Sequence, residues 1–425
     1  MKKNILLTFL VVFLTTNLSA QQFDLSAELR PRYENTFGIK TLRVKGQEAN
    51  NFVSQRTRLN FDFNQDKLIF KVSLQNVRVW GDVSTLSADD NATALHEAWG
   101  EAVLSEKVSL KLGRQEIVYD DHRIFGNVGW AQQARSHDAF LVKFTPNANH
   151  RIDVGLAYNA DNQANLDAGY SNAAGYKTFQ YAWYHGDFNK FGLSFLLLNT
   201  GIEFEDVADN NKLTVDFMQT IGPRFTYKSG DFNANAAAYF QTGKVVETDV
   251  SASYFAANFG YKINDNFSAA IGGELLSGTD MNDTSGKIKS FAPLFGTNHK
   301  FNGWMDYFYV GNHANNVGLT DLNATISYKK NKFSAKIIPH FFSTAADVID
   351  SNGNKMEANL GTEIDFTLGY KLSKTISLNA GYSKMFATET MEAIKGGDKD
   401  VNNSWGWVMF TFKPKLFSYT PPLVE

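Results

Sequence analysis

Along most of the chain, apolar and polar residues alternate one by one. Phe23, Leu25, Ala27, Leu29 and Tyr33 interleave with Asp24, Ser26, Glu28, Arg30, Arg32 and Glu34. Successive side chains of an extended strand point to opposite faces, so this stretch has one apolar face and one charged face. Leu59, Phe61 and Phe63 repeat the pattern against Arg58, Asn60 and Asp62, and Ile152, Val154, Leu156 and Tyr158 repeat it against Arg151, Asp153 and Asn159. Charge at every second position does not suit a sandwich core. It suits a wall with lipid on one side and a water-filled lumen on the other.

The connections between these segments fall into two kinds. Short polar turns recur at 64–67, 105–107, 146–149, 187–190, 228–231, 264–266, 329–332 and 373–375. Between them lie longer polar or Gly/Asn-rich stretches at 36–52, 81–94, 120–136, 160–175, 201–212, 243–248, 279–316, 344–358 and 389–402. Eight short and nine long connections predict about 18 strands. The fold class expected is therefore all-β: a transmembrane antiparallel β-barrel with short periplasmic turns and longer outer loops. Residues 279–316 are far longer than a hairpin needs. The aromatic-rich part of that stretch either folds into the mouth or packs on itself at the surface.

Residues 1–20 begin with Lys2 and Lys3, run through an apolar core and end on Ser19 and Ala20, which reads as a secretory signal cleaved near Ala20. The barrel is expected over residues 21–413. Residues 414–425, with Pro414, Pro421 and Pro422, are expected to leave the wall as a periplasmic or lumenal tail. Removing the signal takes the formal charge from −3 to −5, a balance that argues against a nucleic-acid partner. Zero Cys excludes a disulfide framework and a thiolate metal site. After the signal no apolar run approaches the ~18 residues of a membrane-spanning helix.

Enzymatic patterns are missing. His96-Glu97 lacks the second histidine of a zinc-protease helix, and there is neither a Gly-x-Ser-x-Gly elbow nor a phosphate loop. His340 alternates onto the lumen side without a serine that sequence can pair with it. The Asp/Asn runs at 280–286 and 350–357 lack the central glycine of a calcium loop and read as solvated loops. No catalytic residue, metal site or cofactor is therefore expected. The chemistry lies in wall and loop charges: Arg30, Arg58, Lys71 and Arg151 on the lumen face, and Arg114, Arg123, Arg135 and Asp138 in or beside the 120–136 loop. Each cation either stiffens the wall by pairing with a carboxylate or meets the solute at a constriction.

Gly113-Arg114-Gln115, followed by Tyr119-Asp120, Arg123, Gly126, Trp130, Arg135 and Asp138, together with Phe295-Gly296-Thr297-Asn298-His299 and Gly303-Trp304-Met305-Asp306, resembles the alginate export family of outer-membrane porins. The resemblance covers most of the chain after residue 20. It implies an eighteen-stranded barrel that passes solutes passively across the outer membrane. Arg114, Arg123 and Arg135, with Asp138 after the last, match the family's loop and wall charges, and His299, Trp304 and Asp306 fall in its second cluster. The implied partners are acidic oligo- or polysaccharide, or small anionic solutes, with outer-membrane lipid around the wall and a periplasmic partner left unknown. Here Glu28, Asp62, Glu97, Glu101, Asp153 and Glu363 counter the wall cations, so a taste for alginate itself does not follow. A general porin without preference is the alternative, ahead of a barrel enzyme or a structural or adhesive barrel.

Overall fold

The computed structural model describes residues 21–420, apart from 90–91, 164–168, 171–174, 210–211, 298, 310–312 and 314–315. The signal read at 1–20 lies outside the described residues. Strands follow the period-two segments: β1 (Gln21–Phe37), β2 (Asn50–Gln65), β3 (Leu68–Val79), β4 (Thr93–Val103), β5 (Val108–Gln115), β6 (His137–Asn147), β7 (His150–Tyr158), β8 (Thr178–Phe188) and β9 (Phe191–Asp206). The second half contributes β10 (Lys212–Ser229), β11 (Phe232–Val245), β12 (Thr248–Lys262), β13 (Phe267–Leu276), β14 (Leu319–Lys330), β15 (Phe333–Ser343), β16 (Asn359–Lys371), β17 (Ile376–Ala387) and β18 (Asn403–Phe412). Each pairs antiparallel with its chain neighbours. β1 also pairs with β18, Tyr33 opposite Val408, so the sheet closes into an 18-strand barrel.

The wall is inside out relative to a water-soluble protein. Leu112 and Ile271 on the outer face are 62% and 63% exposed, while Asp153, Asp321, Glu363 and Asp365 inside are 0% exposed. Such a distribution is stable only where the outer face meets hydrocarbon and the interior supplies hydrogen bonds. The eight short connections fall at the expected places at one end of the barrel.

Two expectations need correction. The 243–248 stretch is not a long loop, because Val245 pairs with Thr248 and only Val246 and Glu247, both at positive φ, lie between β11 and β12. Nor do residues 414–425 all leave the wall. Pro414 separates β18 from β19 (Lys415–Tyr419), which continues the same line beside β1 in unchanged register at Ser26 opposite Lys415 and, after a one-residue shift at Leu416, sets Phe23 opposite Tyr419. Proline has no N–H to give, but it can accept, and Ala27 donates to the Pro414 carbonyl at 3.0 Å. Residues 421–425 lie outside the described residues.

The core sits within the barrel. The connections 116–136 and 277–318 both turn inward, burying Ile117, Ile124, Phe125, Phe291, Met305, Tyr307 and Phe308 against Phe179, Tyr181, Tyr254 and Phe342 of the inner wall. Of the two fates open to the aromatic-rich stretch, the inward one is realised. A short helix, α1 (Glu389–Lys395), caps the β17–β18 connection. The Thr388 hydroxyl takes the Met391 N–H at its start, and the Met391 side chain is buried.

Candidate pore constriction

The 116–136 segment crosses the lumen because the wall offers it partners at several points. Arg30 donates to the carbonyls of Gly129 (2.8 Å), Trp130 (3.0 Å) and Ala131 (3.2 Å) and to Gln132 Oε1 (2.9 Å). Arg32 donates to the Trp130 carbonyl at 2.8 Å, and its guanidinium lies 4.1 Å from the centre of the Trp130 ring. Arg56, paired with Glu28, also reaches the Gln132 carbonyl, and Gln75 donates to the Gln133 carbonyl. Across the barrel, Tyr119 donates to Asp153 (2.7 Å), Trp183 and Ser194 donate to Asp120, and Arg224 pairs with Asp121 (3.2 Å). Four carbonyls thus aim at wall arginines, which replaces the hydrogen bonds this backbone loses by leaving water. Val128 adopts a positive φ of 50° in the segment, a strain of about 1 kcal/mol or more for a β-branched residue that the surrounding contacts must hold.

The 277–318 segment is fixed in the same way, with the charges reversed. Trp304 N–H donates to Asp365 (3.1 Å), Met305 N–H to Glu363 (2.8 Å) and Asn302 Nδ2 to Glu274 (2.7 Å). The two segments are then joined to each other. Gly126 N–H donates to the Phe295 carbonyl at 2.9 Å, Thr297 N–H to the His122 carbonyl at 2.8 Å and Arg135 to the Gly296 carbonyl at 3.0 Å. Arg123 is the central rivet: buried, 2.8 Å from Glu274 and 3.0 Å from Asn302, it lies against the rings of Phe301 and Tyr254. Burial lowers the Arg135 guanidinium to about 10, which leaves it charged at neutral pH.

Most of the residues singled out from sequence come together here. Arg30, Arg123 and Arg135 hold the inward segments. Arg58 lies on the lumen wall, bonded to Gln75 (2.8 Å) and 3.9 Å from Glu116, and Lys71 pairs with Glu97 at 2.6 Å. Arg151 pairs with Asp153 at 2.5 Å in another sector of the wall. His299 stacks on Trp130 with ring centres 4.4 Å apart and bonds Asp306 at 3.1 Å, and the Trp304 ring lies 6.5 Å from His299. Arg114 and Asp138 do not join them. They pair with each other at 2.8 Å, half-exposed, on the outer face beyond Leu110, Leu112, Phe140 and Val142. Their side chains alternate with inward Gln115 and Ala139, so neither lines the lumen.

His96, Glu97 and Glu116 bring ligand atoms within 4.8 Å of one another. Lys71 on Glu97, Arg58 near Glu116 and Asn127 on Glu116 already engage the carboxylates, so this is a hydrogen-bonded strut rather than an open ligand set. Although burial opposes it, the hydrogen bonds from His96 and Asn127 hold the Glu116 carboxyl below its ordinary value. The Asp-rich surface loops spend their carboxylates on their own backbone, Asp350 accepting from Asn352 and Asn354 N–H at 2.8 Å.

Beneath the joined segments, on the side of the short turns, the lumen divides into sectors. One, of about 540 Å³, is lined by Arg30, Arg56, Arg58, Lys71 and Lys413 against Glu28, Asp62, Glu97 and Glu116. A second, of about 350 Å³, is bounded by Arg224, Glu274, Lys300 and Asp321. A third, of about 410 Å³, lies under Trp130, His299, Trp304 and Trp407 with Lys300 and Lys336. Sequence reading missed Gln132, Glu274, Lys300 and Lys336. Lys336 and Glu274 had a local signal, Lys336 alternating with Ala335 and Ile337 and Glu274 with Ile271 and Leu275.

A closed 18-strand wall with charges inside, apolar residues outside and loops narrowing the lumen defines an outer-membrane porin. The chain matches the model of the alginate export family over residues 21–406 and belongs to that family. Among solved structures it is similar to Pseudomonas aeruginosa OpdO (13% identity, 93% of this chain and 98% of that one, TM-score 0.61). It is also similar to P. aeruginosa OccK8 (OprE), at 13% identity over 93% and 98% of the chains with a TM-score of 0.60. A third is a BenF-like porin from Pseudomonas fluorescens Pf-5, at 14% identity over 93% and 99% with a TM-score of 0.60. No curated protein sequence matches it. The protein is thus an outer-membrane β-barrel channel for passive passage of solutes. Its family and fold are those of transport porins.

Proposed function

We propose that the solutes are anionic, acidic oligo- or polysaccharide or smaller acids, and that they pass along the sector lined by Arg30, Arg56, Arg58, Lys71 and Lys413. One observation carries this reading. Five cations face four carboxylates there, and two of the cations are not committed to a close ion pair. Arg30 is satisfied by carbonyls and an amide, and Arg58 by an amide, with its nearest carboxylate at 3.9 Å. Such groups lower the desolvation cost of a passing carboxylate, while the neighbouring acids keep it from binding too tightly to leave. The outer apolar face meets outer-membrane lipid. A general porin is the second reading, favoured by the direct pairing of Lys143 with Glu101, Arg151 with Asp153 and Lys71 with Glu97.

Single channels in a planar bilayer under a salt gradient distinguish the two. An anion-directed reversal potential and a current reduced by an oligouronate support the first. A reversal potential near zero that is indifferent to the oligouronate supports the general porin.

A further inference from the structure

The sector under Trp130 differs in chemistry from the arginine-lined one. Its walls are the indoles of Trp130, Trp304 and Trp407, the His299 imidazole and the Met409 thioether, enclosing about 410 Å³. That volume is within the range of about 300–1,000 Å³ typical of small-molecule sites. Trp130 is clamped from several sides: Arg32 over its ring, His299 stacked on it at 4.4 Å, and Trp407 edge-on at 4.8 Å. These rings hold one another in place beside the cavity, with Trp304 and Trp407 on its wall.

Two cations reach this slot without a carboxylate. The Lys300 ammonium donates to the Asp121 carbonyl at 2.7 Å, and Lys336, exposed on the lumen face of β15, has no ion pair among the described residues. Burial first, and then the neighbouring charges of Arg224 and Lys336, hold Lys300 below the ordinary lysine value despite the opposing pull of Asp121. The neutral polar groups of the lining are Thr297, Ser334, Thr367 and Asn379. Thr297 Oγ1 already accepts the Val128 N–H at 3.1 Å, and Ser334 Oγ faces the Gly369 carbonyl at 3.5 Å, which leaves Thr367 and Asn379 as the main neutral partners.

We propose that this slot is a binding site for aromatic monocarboxylates, the ring held between Trp304 and Trp407 and the carboxylate set toward Lys336 and Lys300. A uronate has the same charge but carries several hydroxyls. Each hydroxyl left unmet against indole weakens binding by roughly 5- to 150-fold, whereas a benzene ring loses nothing there and gains from stacking. The site thus selects a class of anion distinct from the acidic saccharide proposed above and does not depend on that reading.

Purified full-length protein in planar bilayers tests it, with benzoate, acetate and glucuronate added in turn on the short-turn side at constant ionic strength. Benzoate should reduce or flicker the current at concentrations where acetate and glucuronate do not. Lys336→Gln should weaken that block about fivefold, as expected for loss of one partly exposed charge-assisted contact. Lys332→Gln, at the adjacent turn, should leave it unchanged. Calorimetric titration of the detergent-solubilised protein with benzoate supplies the same comparison without relying on conductance. A block by glucuronate equal to or stronger than that by benzoate overturns the proposal, and so does a benzoate affinity indifferent to Lys336→Gln. Indifference to oligouronate with benzoate block intact would instead remove only the saccharide reading.

Discussion

Replacing Arg123 with leucine separates the wall from what fills it. The guanidinium ties the 116–136 segment to Glu274 of β13 and to Asn302 of the other inward segment, with 2.8 and 3.0 Å contacts in a fully enclosed site. Removing one partner of a buried pair costs about 3–5 kcal/mol, because the other charge is left uncompensated. Here that charge is Glu274, with Asp321 of β14 close by at the shared Asn302 amide. The wall itself does not depend on Arg123, since β13 keeps its ladders to β12 and β14. The cost therefore falls on the closed position of the segments and shifts their closed-to-open ratio by about two to three and a half powers of ten. Single-channel recording should show larger and noisier conductance with normal insertion and an unchanged heat-shifted gel band. The double variant Arg123→Leu/Glu274→Leu removes both charges and should recover most of the quiet, closed behaviour. If Arg123→Leu conducts like the parent protein, the segments are held by packing alone and the rivet assignment is wrong.

The remaining expectations are briefer. Arg58→Glu changes local charge by two beside Glu116 and Glu97 and should move the reversal potential toward cation preference; an unchanged potential would take Arg58 off the solute path. Arg114→Ala should leave selectivity and conductance as they are and cost no more than about 1 kcal/mol of stability, since it breaks a half-exposed pair and an exposed hydrogen bond to the Leu95 carbonyl on the outer face; altered ion preference would contradict that placement. Glu116 has a depressed folded value, so its contribution is in full force above the ordinary glutamate value of about 4.3 and is lost as pH falls through the folded one. Current noise should rise below about pH 4 and rise less in Glu116→Gln, which is already uncharged.

The wall was legible because strand parity is a local property. Leu29, Tyr33, Val154 and Tyr158 face outward, and Glu28, Arg32 and Asp153 inward, as the alternation requires. Arg114 shares the parity of Leu110 and Leu112, yet its charge suggested a lumen position. At the rim beyond the apolar band an outward charge is cheap, so charge alone does not report the side. The Val246-Glu247 turn has no glycine or asparagine to announce it and is imposed by the pairing of Val245 with Thr248. What fills the barrel was illegible for a different reason. Arg30 meets Gly129 across 99 positions of sequence, and no periodicity records a partner at that distance. The lengths of the two inward segments and their motif clusters drew attention to them, but not the carbonyls that the wall arginines would seek.

The seam between β1 and the β18/β19 line has a consequence for how the molecule is made. Strand β1 finds its second partner only when the last strands of the chain are present. Arg30 and Arg32, on β1 itself, grip the first of the inward segments. The strand that seals the vessel thus also holds its contents. That seal joins the two ends of the chain, the pairing of greatest sequence separation in the wall and so the one with the largest loop-closure cost.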